Sequence, residues 1–225
     1  MLQQPQSLTF GGIGIARRRP ALAWPRLAKR ALDLLLAGVG GICALPACGV
    51  IALLIAADSP GPVLFRQRRL GKDGRPFEAL KFRTMRGDGE RRLPELLAAD
   101  ARLHAEYEEF HKLVDDPRIT RMGRLLRKYS LDELPQLINV LRGDMSLVGP
   151  RPYLEREVPD MERHEFVILR VRPGITGAWQ VSGRHAASFR SRVRVDVDYV
   201  RNWSAWLDLR ILCRTVGVVI RGTGT

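Results

Sequence analysis

Two adjacent carboxylates, Asp132 and Glu133, stand in the stretch Arg127 to Pro152, RKYSLDELPQLINVLRGDMSLVGPRP. They follow the bases Arg127 and Lys128 and border a strongly apolar run. An ionised carboxylate can attack phosphorus, or hold a divalent cation that neutralises phosphate charge. Ser130 reads as a helix N-cap, and Glu133 three residues later completes a capping-box pattern. In that reading both acids occupy the first helical turn, where the positive end of the helix dipole favours the charged form at neutral pH. The same pattern also suits an ordinary capped surface helix, so the dyad alone leaves both readings open.

Basic residues are the natural complement of such chemistry. The chain of 225 residues carries a formal net charge of +13, and an excess of that size implies an anionic partner: nucleic acid, anionic lipid or a phosphorylated substrate. The nucleic-acid reading lacks a binding module, since no zinc-finger spacing, RNP motif or convincing helix-turn-helix occurs. Cys43, Cys48 and Cys213 lie in apolar runs without metal-ligand spacing, as reduced packing cysteines do. The length suits one domain better than two.

The elements that position these residues begin with an uncharged run from Leu34 to Ala57, long enough to cross a hydrocarbon core once. Upstream lie Arg17, Arg18, Arg19, Arg26, Lys29 and Arg30; downstream lie Arg66, Arg68, Arg69 and Lys72. A spanning helix carries its basic residues mainly on one flank. Here both flanks are basic, so both ends are expected on the cytoplasmic side. Pro46, midway along the run, supplies the break by removing an N–H and clashing with the preceding turn. A kinked single span is the competing reading.

Beyond the membrane run, Val63 to Arg69 and Phe77 to Phe82 read as a hairpin around Gly71-Lys72-Asp73-Gly74. Arg91 to Lys112 reads as a charged surface helix or lid, with His104 and His111 as surface histidines. Leu125 to Leu141 is expected to be helical on either side of Ser130. Near the C-terminus, Leu209, Leu212, Cys213, Val216, Val219 and Ile220 repeat at helical spacing opposite Arg210, Arg214, Gly217 and Arg221. With Trp203 and Trp206 beside it, that helix suits the headgroup layer; packing on the protein's own core would produce the same pattern.

Five motifs in order extend the reading: KFRTM (Lys81 to Met85), LDELPQL around the dyad, GDMSLVGPRP (Gly143 to Pro152), RPGITGAWQVSGR (Arg172 to Arg184) and YVRNWS (Tyr199 to Ser204). From about Lys29 to the C-terminus the chain resembles the bacterial sugar transferases, the small monotopic phosphoglycosyl transferases. Within them it is most similar to the undecaprenyl-phosphate galactose phosphotransferases of exopolysaccharide synthesis. The resemblance implies transfer of a hexose-1-phosphate, galactose or glucose, from a UDP-sugar to undecaprenyl phosphate with release of UMP. Asp132 would be the nucleophile of a phosphosugar-aspartyl intermediate. Glu133 would assist it, and Mg²⁺ would be held by both acids. Lys81, Arg83, Arg127, Arg151, Arg172 and Arg184 would face phosphate. Pro150 and Pro152 fix the turn that presents Arg151, or serve the turn alone; Trp179 either stacks on a base or is buried.

The implied fold is α+β and mostly helical: a re-entrant membrane helix broken at Pro46, a small β-hairpin, and a cytoplasmic catalytic domain with interfacial amphipathic helices. Many relatives place Ser before the proline; here it is Leu45, which removes a hydroxyl that would bond the freed carbonyls. The expected division is a mobile basic tail over 1–28, the membrane helix over 29–57 and the catalytic domain over 58–225. The expected location is the cytoplasmic leaflet of a bacterial inner membrane, with no nucleic-acid partner and room for a homo-oligomer. A non-catalytic scaffold of polysaccharide assembly is the remaining alternative, and it leaves the dyad, VGPRP and RPGITG without a purpose. No residue reads the configuration of a sugar hydroxyl.

Overall fold

A computed structural model describes residues 24–87, 89–110, 113, 115–182 and 188–222. Most of the basic tail, His111 and the Gly183-Arg184 pair fall outside them. The chain is helix-rich with two small sheets, in agreement with the expected class.

Helix α1 spans Trp24–Asp58. From Leu27 to Asp58 it is apolar enough to cross a membrane, with a mean hydropathy of 2.4 and 11 % burial in its most apolar window. Leu and Ala carry it, and in lipid such side chains cost nothing to expose. It starts five residues before Lys29 and is assigned as one helix with Pro46 inside it. Two helices separated by a break were expected. The observed effect of Pro46 is smaller: a lost N–H donor within a ladder that continues on both sides.

Both ends of α1 are fastened to the same body. At one end Ala37 packs with Val140 and Met145; at the other Ile51 and Ile55 pack with Phe82 and Leu126. Between them Val39, Ile42 and Leu45 are exposed, and nothing lies within 4 Å of a side chain built at Gly38, Gly40, Gly41 or Gly49.

The hairpin formed as expected. Strands β1 (Leu64–Leu70) and β2 (Pro76–Phe82) pair antiparallel with Phe65 opposite Lys81. Asp73 and Gly74 turn the chain at positive φ, a conformation that Asp and Gly tolerate. The charged stretch that follows is helical as two pieces, α2 (Gly89–Ala99) and α3 (Ala101–Phe110).

Helix α4 (Arg121–Lys128) is capped by Thr120, whose hydroxyl accepts from the Gly123 N–H at 2.9 Å. The Ser130 cap does not form. Ser130 sits in the left-handed region at φ 54°, its side chain caps nothing, and Leu131–Glu133 is a single 3-10 turn. Helix α5 (Gln136–Arg142) begins only after Pro135 and ends on Gly143 at φ 95°. Tyr129 and Ser130 thus end one helix and reverse the chain, a tighter device than a capping box.

A second sheet, absent from the sequence reading, joins β3 (Ser146–Val148) and β4 (Gly174–Thr176) in parallel. It brings VGPRP against RPGIT, which are distant in sequence. The backbones nearly touch there: a methyl on Gly174 would lie 2.1 Å from the Gly149 nitrogen. Between these strands lies the short α6 (Glu165–Ile168). Helix α7 (Phe189–Arg201) buries Phe189, Val193 and Val197 against Tyr153, Met161 and Ile168.

Helix α8 (Ala205–Arg221) packs on the core with one face and leaves most of the expected apolar stripe outside. Leu207, Asp208 and Ile211 face the core, while Trp206, Leu209, Cys213, Val216 and Ile220 form an exposed apolar stripe. Trp179 is buried in the core that Val148, Val195 and Ile211 share, so it packs rather than offering a stacking surface.

The sharpest test of this packing contrasts two glycines. Gly174→Ala should cost about 3 kcal/mol by forcing the two strands apart. Gly217→Ala, at an open helical position, should stabilise by about 0.5–1 kcal/mol. Thermal unfolding in detergent reads both, and equal effects would contradict the close crossing.

Candidate active site

The 3-10 turn places Glu133 in a cleft lined also by Arg69, Ala79, Lys81, Gln136, Arg151, Pro152, Gly174, Ile175 and Gln180, with Asp132 next to it in the chain. Asp132 is 7 % exposed. Lys81 reaches across from β2, donating to Glu133 Oε1 at 2.7 Å and lying 3.9 Å from Asp132 Oδ2. The distance between strand and turn is set by Asn139, which is fully buried on α5. Its Oδ1 accepts from the Leu80 N–H at 2.9 Å, and its Nδ2 donates to the Glu78 carbonyl at 2.7 Å. An amide side chain thus bonds the edge of β2 on both sides of Ala79, and α5 cannot slide along it.

Burial raises the Asp132 carboxyl above the usual range, and the neighbouring Glu133 charge adds to this; Lys81 and Arg127 pull the other way. Burial acts on Glu133 too, but Lys81, Arg151 and Arg69 outweigh it and hold that carboxyl below its ordinary value. The dipole argument from sequence therefore does not carry the charge state. Cations that converge from three separate segments do.

Of the predicted phosphate-facing residues, the structure gathers Lys81, Arg127 and Arg151 around the dyad. Arg127 donates to the Thr84 hydroxyl at 3.0 Å and feels Asp132 directly. Arg83 and Arg172 are placed elsewhere. The Arg83 guanidinium closes the C-terminal end of α1, donating to the carbonyls of Pro60 at 3.0 Å and Ser59 at 2.5 Å. Arg172 donates to the Gly143 carbonyl at the end of α5 at 2.7 Å. Both satisfy orphan carbonyls at helix ends, a role with no local sequence signature. Arg184 lies outside the described residues.

Three residues of the cleft were missed. Arg69 is buried, donates to the Pro152 carbonyl at 2.9 Å, and is pulled down to about 10 by burial and by Arg151 beside it. Gln136 and Gln180 line the cleft, and each has one buried amide atom without a partner, Nε2 of Gln136 and Oε1 of Gln180. A polar residue following ELP in an apolar run was the only signal for Gln136. Lys29 and Arg30, counted as flanking charges, are structural: Lys29 binds Asp208 at 2.6 Å and the Val148 carbonyl at 3.0 Å, and Arg30 the Val140 carbonyl at 2.8 Å.

The arrangement offers a carboxylate nucleophile, a second carboxylate beside it, and four cations, Lys81, Arg127, Arg69 and Arg151, to receive a phosphorylated ligand. Comparison with known proteins agrees in kind. The profile of the family described as bacterial sugar transferase matches residues 24–222. The exopolysaccharide production protein ExoY of Sinorhizobium fredii is 42 % identical over 88 % of this chain and 88 % of its own length. The undecaprenyl-phosphate galactose phosphotransferase of Salmonella typhimurium is 44 % identical over 88 % of this chain. The chain spans 42 % of that relative's length. The UDP-glucose:undecaprenyl-phosphate glucose-1-phosphate transferase of Caulobacter vibrioides is 42 % identical, over 88 % of this chain and 73 % of the relative.

Lys81→Met tests what holds the dyad's charge. Both carboxyls should then titrate at higher pH than in the parent. The native state would keep protons that the unfolded chain has released, so stability should fall as pH rises through that window. Thermal unfolding between about pH 4 and about pH 8 should show a steeper decline for the variant. An unchanged slope would assign the dyad's charge state to the arginines alone.

Proposed function

The chain belongs to the bacterial sugar transferase family, and on that premise we propose that it moves a hexose-1-phosphate from a UDP-sugar to undecaprenyl phosphate, releasing UMP. The observation that carries the reading is the pair of buried Asp132 and half-buried Glu133 held on Lys81, beside a cleft whose other charged walls are arginines. A diphosphate is the ligand that such a cleft neutralises, and its two phosphates call for the bidentate geometry that guanidinium groups supply.

In the first half-reaction an Asp132 Oδ attacks the phosphorus attached to the sugar. The bond from that phosphorus to the bridging oxygen breaks, UMP leaves with the electron pair, and an acyl phosphate to the sugar remains. In the second, an oxygen of the lipid phosphate attacks the same phosphorus and returns the carboxylate. Lys81 favours the charged form of the attacking group against burial, and Arg69 and Arg151 take the charge that builds on the phosphates. Glu133 stays anionic beside it and assists the acceptor step. Asp132 and Glu133, with the donor's phosphate oxygens, are a hard-oxygen set that suits Mg²⁺, an ion that binds through one or two carboxylates plus substrate phosphates. Among the described residues no cluster of three or more His, Cys, Asp or Glu forms an all-protein cage. Bound there, Mg²⁺ would neutralise diphosphate charge. Relatives named for galactose and for glucose lie at nearly equal identity, so a hexose is proposed without a choice between the two.

The acceptor's phosphate lies at headgroup depth, and the anchoring of α1 supports a monotopic placement on the cytoplasmic leaflet. Packing of its two ends on one body supports both lying on one side of the membrane, with the exposed middle turned toward the lipid. The exposed stripe on α8 supports a second, interfacial contact.

Asp132→Asn should lower UMP release about a thousandfold or more, because an amide cannot form the acyl phosphate. Without lipid acceptor, the parent with UDP-galactose or UDP-glucose and Mg²⁺ should release UMP in a stoichiometric burst and gain one hexose phosphate by intact mass. No adduct in a preparation with acceptor-dependent turnover would mean direct displacement. Single cysteines at Leu27 and Arg68, in a background lacking Cys43, Cys48 and Cys213, should both resist an impermeant thiol reagent outside intact cells. Both should react once the inner membrane is opened. Labelling of one flank alone would establish a true span.

A further inference from the structure

Behind the turn that presents Arg151 lies a buried charge cluster that the chemistry above does not use. Tyr153, 1 % exposed, donates its O–H to Asp196 Oδ2 at 2.7 Å. Asp196 is fully buried on α7, its carboxylate faces the Arg151 backbone N–H, and its Oδ1 has no hydrogen-bond partner. One turn earlier, the Arg192 guanidinium lies 4.9 Å over the Tyr153 ring and 4.5 Å over Phe189, and donates to Glu157 at 3.1 Å. Glu157 in turn accepts the Leu154 N–H at 2.7 Å.

Taken along the chain, four successive residues each face a different group, and the last three are hydrogen-bonded to it. Asp196 faces the N–H of Arg151, Arg69 donates to the Pro152 carbonyl, and the Leu70 N–H donates to the Tyr153 carbonyl at 2.9 Å. Glu157 takes the N–H of Leu154. Pro150 and Pro152 already stiffen this turn, so holding its shape does not require an acid. Burying a carboxyl with one oxygen unpaired is costly, and an apolar residue would fill the space at lower cost. What the cluster adds is a fixed origin for the Arg151 side chain, where a displacement of about 1 Å can cost about a hundredfold in rate.

We propose that Asp196, through the Tyr153 hydroxyl and the Arg151 N–H, is a positioning residue that fixes the Arg151 guanidinium for a phosphate of the nucleotide-sugar donor. The inference rests on the reading of Arg151 as phosphate-holding. A titration accompanies it. Burial pushes the Asp196 carboxyl up to about 7, against the pull of the Tyr153 O–H, Arg192 and Arg151. Tyr199 also faces it from α7. Protonation removes an acceptor from the grip, so the apparent affinity for donor falls as pH drops through neutrality.

A double-mutant cycle on donor KM, read by UMP release at saturating acceptor, tests this. Asp196→Asn and Tyr153→Phe should each raise donor KM about tenfold, with kcat changed less. In an Arg151→Ala background the same changes should add less than about twofold. The rise in KM at lower pH should be flattened in Asp196→Asn. Tyr153→Phe keeps the ring and deletes one hydroxyl, so it serves if Asp196→Asn does not fold. Equal factors in both backgrounds would overturn the proposal and leave Asp196 a core residue. If Arg151→Ala alone left donor KM at the parent value, the phosphate reading of Arg151 would fail instead.

Discussion

Two carboxylates side by side in a buried turn repel each other, and burial disfavours the charge on both. The site exists because Lys81 is bonded to Glu133 and within Coulombic reach of Asp132. Much of the local architecture serves that contact. Lys81 comes from a hairpin strand, whereas the dyad comes from a reversed 3-10 turn, and neither would find the other by local folding. Asn139 makes the connection, inserting its amide into the edge of β2 between Glu78 and Leu80. Its backbone carbonyl accepts the Gly143 N–H at the end of α5 as well, so one buried residue ties helix, strand and turn together.

With the acids balanced in this way, the arginines are left in excess. Burial, and then the Arg151 charge beside it, pull Arg69 down to about 10, and a cleft in that state favours an anion. Part of the chain's net charge of +13 is therefore organised rather than diffuse. Other basic residues are consumed in structure. Arg83 and Arg172 close the ends of α1 and α5, and Arg118 is locked on Asp116 at 2.6 Å.

What the sequence made legible was local. Gly71-Lys72-Asp73-Gly74 between two strand-like runs yields the hairpin because turn chemistry acts over a few residues. The dyad and Arg151 stood out because acids beside an apolar run and an arginine between prolines are unusual on their face. The errors have a common source. Ser130 and Glu133 fit the capping box by spacing, but Tyr129 ends α4 and the chain takes a left-handed step at Ser130. Arg83 and Arg172 were grouped with the phosphate residues by motif, whereas their partners are carbonyls that only the folded chain brings near. The same limit hid the Lys29–Asp208 and Asp33–Ser146 contacts, whose partners lie 179 and 113 residues apart, and the parallel β3–β4 pair.

Those long-range contacts tie the membrane helix to the chemistry. The Val148 carbonyl accepts from Lys29 of α1 at 3.0 Å and from the Tyr199 hydroxyl at 3.2 Å, and Asp208 of α8 binds both donors. Val148 is the residue that enters the VGPRP turn, three positions before Arg151. Asp33 of α1 accepts the Leu147 N–H and the Ser146 hydroxyl one strand residue earlier. A helix long and apolar enough to cross a membrane is thus bonded directly to the strand that leads into the arginine turn. With α1 in a membrane, as proposed, its depth would fix the height of Arg151 and of the cleft beside it. On the proposed function a water-soluble donor and a lipid-bound phosphate must meet at one plane, and attachment of α1 to the turn would set that plane.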